Sequence, residues 1–99
     1  MSDEAETKKQ GVAGVFSRSA ATYDQVGPRF FTHFGQRLVE LAALRPGARV
    51  LDVAAGRGAS LFPAAAQVGP TGEVIGIDLA AGMVEEASRE IAARRVKNA

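Results

Sequence analysis

The sequence predicts an α/β fold built on parallel strands, and three observations predict it. Two short apolar runs, Val50-Leu51-Asp52-Val53-Ala54 and Val74-Ile75-Gly76-Ile77, show no polar alternation except at Asp52. Strands covered on both faces of a parallel sheet read this way. A helical stretch and a Gly69-Pro70-Thr71-Gly72 turn separate the two runs, which is the spacing of a right-handed parallel crossover. Longer segments with helical periodicity lie on either side.

The elements follow in order. Residues 1–10 are polar and read as a disordered tail, with residues 11–99 forming the domain. A short helix is expected from Val12 to Ala21, weakened by its glycines and serines. A Gly27-Pro28 break precedes a stronger helix, for which Pro28 suits the first turn. Phe30, Phe34, Leu38 and Leu41 recur on one face of that helix, beside Phe31, Ala42 and Leu44. Arg45-Pro46-Gly47 stops it. After the first strand comes a Gly-containing loop, then a helix from Ala59 to Val68 that Pro63 should kink. The last helix is expected from Ala80 to Val96, with Met83, Val84, Ala87 and Ile91 as its apolar stripe. Glu85 with Arg89, and Glu90 with Arg94, have pairing distance along it. Glu85 and Glu86 lie early and Arg94, Arg95 and Lys97 late, which suits the helix dipole.

Composition narrows the function classes. A chain of 99 residues makes one small domain with a modest core. Its net charge of +1 gives no electrostatic case for a nucleic-acid partner or an anionic membrane. The absence of cysteine excludes disulfides and thiolate metal sites, and a cytoplasmic location is expected. Ser2, Asp3, Glu4, Glu6, Lys8 and Lys9 do not form a secretory leader, and no apolar run reaches the roughly 20 residues that cross a bilayer. Neither a metal site nor a membrane partner is expected.

Parallel sheets bind ligands outside the carboxyl ends of their strands. Asp52 lies late in the first strand, Gly56 and Gly58 follow in the loop, and Asp78 ends the second strand. Glycine lets a ligand approach the backbone without a side chain in the way. An acid closing the second strand can accept bonds from both ribose hydroxyls of a nucleoside. An acid in the first strand favours a nearby cation. Together these residues describe an adenosine-containing ligand that carries positive charge.

The run VLDVAAGRG at 50–58, followed by GEVIGID at 72–78, resembles the class I S-adenosylmethionine-dependent methyltransferases, in particular the ubiquinone/menaquinone-biosynthesis type. In that family an acid is followed by glycines at alternate positions. Asp52, Gly56 and Gly58 match, and Ala54 replaces the first glycine. The resemblance implies a Rossmann-like fold and S-adenosylmethionine as cofactor. It implies methyl transfer to a nucleophilic C, O or N of a small molecule. It places Asp78 at the ribose, Asp52 near the methionine portion, and Leu79 and Met83 beside the adenine. Ser19-Ala20-Ala21-Thr22-Tyr23-Asp24 resembles the segment that closes over the cofactor, with Tyr23 as its contact. The likeness spans residues 15 to 96, and its two motifs at the right distance make it more specific than either alone.

Plainer readings stand beside these. Asp78 could cap the following helix. Gly56 and Gly58 could be turn residues. Leu79, Met83 and Tyr23 could be ordinary packed side chains. Phe30, Phe31 and Phe34 read as core, and the lone His33 as non-catalytic. Asp52 resists such an account, because a carboxylate in an apolar strand needs a partner.

The family's domain has seven strands, and this chain supplies two, so a truncated fold is expected, with no nameable catalytic residue and no catalysis by this chain alone. A bare sheet face and an open edge on the first strand should leave the isolated chain partly unfolded, aggregating, or paired as a homodimer through the exposed sheet. Two alternatives remain: a nicotinamide-dinucleotide-binding Rossmann fragment, which should carry G-x-G-x-x-G after the first strand, and a non-catalytic truncated copy that self-associates.

Overall fold

The computed structural model describes the backbone of residues 3–19 and 30–99, and all the side chains of those residues except Asp3 and Ser19. Helix α1 spans Asp3–Ser19, α2 Phe30–Ala42, β1 Arg49–Val53, α3 Leu61–Val68, β2 Glu73–Ile77 and α4 Ala81–Ala93. The α/β fold class and the two parallel strands are as the sequence predicts. The strands pair from Arg49 with Glu73 through Val53 with Ile77. This register sets Asp52 opposite Gly76, so Asp52 and Asp78 share one face at neighbouring strand ends.

The same parity places the core. Val74 is fully buried, and Val50 packs partly buried beside it, against Leu61, Ala64, Ala65 and Val68 of α3. Small alanines let α3 lie close to the sheet, and Gly76 leaves room for the Leu61 side chain, which a Cβ there would meet at 2.7 Å. On the opposite face Leu51, Val53, Ile75 and Ile77 are all exposed. The bare face expected from the sequence is therefore present. Among the described residues each strand has one strand partner, so the far edge of β1 is open. At the far edge of β2 the Val74 amide donates to the Asn98 carbonyl at 2.7 Å. The Asn98 side chain in turn donates to the Ala65 and Gly69 carbonyls at 2.9 and 2.8 Å, satisfying acceptors at the end of α3.

Several details differ from expectation, each for a physical reason. Residues 3–10, read as a tail, form the first turns of α1, with Lys8 and Glu4 paired one helical turn apart. Pro63 does not interrupt α3, which runs unbroken from Leu61 to Val68. It is the third residue of the helix, in the first turn, where its missing N–H has no intrahelical partner to lose. Helix α4 stops at Ala93 rather than Val96. Arg95 takes a left-handed φ of 56°, and the Val96 amide bonds back to the Ile91 carbonyl at 3.0 Å. That six-to-one closure ends a helix without glycine or proline. Of the two expected pairs on α4, Glu90 holds Arg94 at 2.8 Å, whereas Arg89 pairs with Glu86 instead of Glu85.

The largest departure concerns α2. Phe30, Phe31 and Phe34, read as core, are more than half exposed, as are Leu38 and Leu41. The buried line of α2 is Gly35 and Val39. Gly35 sits where a Cβ would lie 2.2 Å from the Ala59 carbonyl oxygen, so only glycine admits the chain there. The helix rotates to present that small line to α3, which turns its aromatic stripe away. Among the described residues no helix is long and apolar enough to cross a membrane.

Leu61 is a buried core side chain of α3 that packs onto β2 at Gly76. Leu61→Ala should cost about 2–5 kcal/mol, a large part of the stability of so small a domain. The urea midpoint followed by circular dichroism measures it, and an unchanged midpoint would contradict this packing.

Candidate cofactor site

The site grows from the carboxyl ends of β1 and β2. Beyond Val53 the pairing continues for one more bond, from the Ala55 amide to the Ile77 carbonyl at 2.9 Å. The loop then reverses, closed by the Gly58 amide on the Ala55 carbonyl at 3.0 Å. Three residues of this loop have left-handed backbones: Ala54 at φ 58°, Gly56 at 57° and Gly58 at 100°. Ala54 is the one that carries a side chain, and it holds a conformation that glycine takes more readily. The two glycines serve different ends. A Cβ on Gly58 would strike the Phe62 ring, whereas a Cβ on Gly56 would meet nothing within 4 Å. Gly58 is thus fixed by packing, and Gly56 faces open space.

Asp78 ties the two strand ends together. Its Oδ2 accepts the Gly56 amide and its Oδ1 the Ala80 amide, both at 2.9 Å. The second bond reaches two residues along the chain, and the residue capping α4 is Ala80, with no side-chain cap. Asp78 therefore makes an Asx turn ahead of the helix rather than capping it. A carboxylate has about four acceptor sites, and bonds among the described residues use two of them.

Asp52 is its opposite. Its Oδ2 is buried and has no hydrogen-bond partner among the described residues. Burial, and after it the negative charge of Asp78, push the Asp52 carboxyl above its ordinary value. Both acids line one cavity of about 700 Å³. Ala54, Gly56, Leu79 and Met83 line it too. Gly58, also expected at the cofactor, does not, consistent with its packing under Phe62. Met83 is 1% exposed in a small core with Ala80 and also borders the cavity. Leu79 is exposed. Tyr23 lies outside the described residues. His33 stands exposed on α2, edge-on to Phe34 with ring centres 5.6 Å apart. Among the described residues no cluster of acids and histidines suits a metal ion.

Sequence reasoning missed the cavity's apolar walls. Val12 and Phe16 of α1 form one, and Phe31, Phe34 and Leu38 of α2 another. The one available signal was Gly35 inside the periodic run of α2, a helix-disfavoured residue that marks the buried line and so places the aromatics elsewhere.

Comparison with known proteins decides the family. Residues 44–99, more than half of the chain, match the family described as "Methyltransferase domain". A solved S-adenosylmethionine-dependent methyltransferase from Aquifex aeolicus superposes with a TM-score of 0.59 at 31% identity, over 65% of this chain and 34% of that one. The chain belongs to the S-adenosylmethionine-dependent methyltransferases. This methyltransferase chain is 50% identical over 90 residues to the aklanonic acid methyltransferase DauC of Streptomyces sp. (strain C5), which covers 91% of this chain and 41% of that protein. It is 51% identical over 80 residues to the nocamycin O-methyltransferase of Saccharothrix syringae, over 81% of this chain and 29% of that protein. It is 36% identical over 97 residues to the demethylmenaquinone methyltransferase of Symbiobacterium thermophilum, over 94% and 39%. The methyltransferase chain spans about two fifths or less of the length of these relatives.

The state of Asp52 has a pH signature. A carboxyl whose folded value is raised binds its proton more tightly in the folded chain than in the unfolded one. Its cost to stability is absent below the unfolded value near 3.8 and grows as pH rises through and above that value. Asp52→Asn should therefore stabilise the chain at pH 7, on the order of 1 kcal/mol. The gain should shrink as pH falls toward 4. Paired urea titrations from pH 4 to 8 test this, and a gain that grows toward acid pH would contradict it.

Proposed function

We propose that this chain forms the cofactor-binding part of a methyltransferase that transfers the methyl group of S-adenosylmethionine to a small molecule. The observation that carries the reading is Asp52: a buried carboxylate oxygen without a partner among the described residues, beside a second acid and a glycine that faces open space in the same cavity. A buried unpaired acid is costly, and a cationic ligand removes that cost. The residues present therefore fit the cofactor.

In this reading Asp52 holds the positively charged methionine portion, and its ionised form is favoured once that charge arrives. The free acceptor sites of Asp78 take the ribose hydroxyls, while its bonds to Gly56 and Ala80 keep the carboxylate from turning away. Gly56 allows close backbone approach. Leu79 and Met83 border the adenine, and Tyr23 belongs to the segment expected to close over it. When bound, the cofactor supplies a methyl group on a sulfonium, which a nucleophilic atom of the acceptor takes. Such a transfer needs little covalent help, so positioning accounts for most of the acceleration. The aromatic and aliphatic walls from α1 and α2 suit an acceptor with a substantial apolar surface.

A second reading has its own observation. Leu51, Val53, Ile75 and Ile77 form a continuous exposed face across both strands. A copy that pairs through this face into a homodimer, without nucleoside binding, would be a non-catalytic member of the family. The dinucleotide alternative is weaker: the loop from Ala54 to Gly58 lacks the G-x-G-x-x-G pattern.

Calorimetric titration separates the three. S-adenosylhomocysteine and S-adenosylmethionine should bind and NAD should not, with Asp78→Ala weakening binding at least about tenfold, or 1.4 kcal/mol. S-adenosylmethionine should bind more tightly as pH rises through the raised value of Asp52, because the cation selects the ionised acid. Binding of NAD alone would replace the proposal. Concentration-dependent sedimentation with no nucleoside binding would establish the self-associating copy.

A further inference from the structure

One close approach in the fold has no explanation in the packing of the core. Gly82 is the second residue of α4, and a Cβ built there would lie 2.5 Å from the Ser17 carbonyl oxygen and 2.6 Å from the Ser17 Cα. Those atoms are backbone of α1, so they cannot step aside without moving the helix. The Gly82 amide donates to the Ser17 Oγ at 3.1 Å across 65 residues of sequence. Gly82 has no left-handed φ, so its backbone conformation does not call for glycine. Glycine also disfavours helix, and alanine would suit α4 better by propensity alone. What requires the glycine is the approach of Ser17.

The place of this contact gives it a consequence. Helix α4 is the main partner of α1 among the described elements. Within the turn before Ser17, Ala13 and Phe16 line the cavity, and on the α4 side Leu79, Ala80 and Met83 line the same cavity around Gly82. The contact therefore joins the segment read as bordering the adenine to the helix that forms the facing wall. We propose that Gly82 is a positioning residue. Its missing side chain admits Ser17, docks α1 on α4, and so closes a wall of the cavity over the bound nucleoside, which sets how tightly that ligand is held. This rests on the cofactor reading above, but the docking itself can be measured without any ligand.

The chain contains no tryptophan, so Phe16→Trp gives a single reporter on the α1 wall. Phe16 is 37% exposed, so in the 99-residue chain carrying this substitution the indole should be partly shielded from iodide by α4 and the cavity. Adding Gly82→Ala should red-shift the emission and raise quenching several-fold, while far-ultraviolet circular dichroism holds or increases, because alanine favours α4. Ser17→Ala adds no bulk and removes only the acceptor. An N–H in the first turn has no intrahelical partner. The Gly82 amide should therefore exchange with deuterium at least about tenfold faster in Ser17→Ala, with the rest of α4 unchanged. In both variants the dissociation constant for S-adenosylhomocysteine should rise about tenfold. An indole as shielded in Gly82→Ala as in its parent, or a Gly82 amide indifferent to Ser17→Ala, would overturn the proposal. If the parent shields its indole but binds no S-adenosylhomocysteine, the docking role of Gly82 is upheld and the nucleoside reading fails.

Discussion

The carboxylate of Asp78 holds the working end of this molecule together. Two strands in parallel register bring their ends side by side, but nothing in a sheet ladder fixes the loops beyond it. Asp78 supplies that restraint by accepting one amide from the loop after β1 and one from its own turn into α4. The left-handed backbones of Ala54, Gly56 and Gly58 make the reversal possible, and the Asp78 bonds define where it goes. Positions that ordinary residues resist are thereby held in one shape.

Two acids within one cavity end up in contrasting states. Asp78 accepts two backbone amides. Asp52 has a buried Oδ2 without a hydrogen-bond partner among the described residues, and burial and its neighbour's charge both weigh on it. A fold selected for stability alone would not keep it there, since such a group weakens the folded state. In the cofactor reading proposed above, a cationic ligand repairs that deficit.

Glycines direct the packing around this site more than the large side chains do. Gly35 brings α2 onto the loop before α3, Gly76 admits Leu61 to the sheet, and Gly82 admits α1 to α4. In each case the element turns its smallest residue toward its neighbour, leaving bulkier residues for the cavity or for solvent. That is why the phenylalanines of α2, which look like core in the sequence, Phe31 and Phe34 among them, stand exposed or line the cavity.

The sequence by itself determined the order of elements, the two strands and the convergence of Asp52, Gly56 and Asp78, because alternation, glycine spacing and acids at strand ends are local properties of the chain. It also carried the family, through two motifs at a fixed distance. Only the tertiary structure decided which face each helix buries, that Pro63 falls harmlessly in a first turn, that Asp78 braces a loop rather than capping a helix, and that Gly58 packs while Gly56 stays open. Those outcomes depend on the approach of segments distant in sequence, set by fractions of an ångström at Gly35, Gly58 and Gly82, and periodicity records how often an apolar residue recurs but not what will come to lie against it.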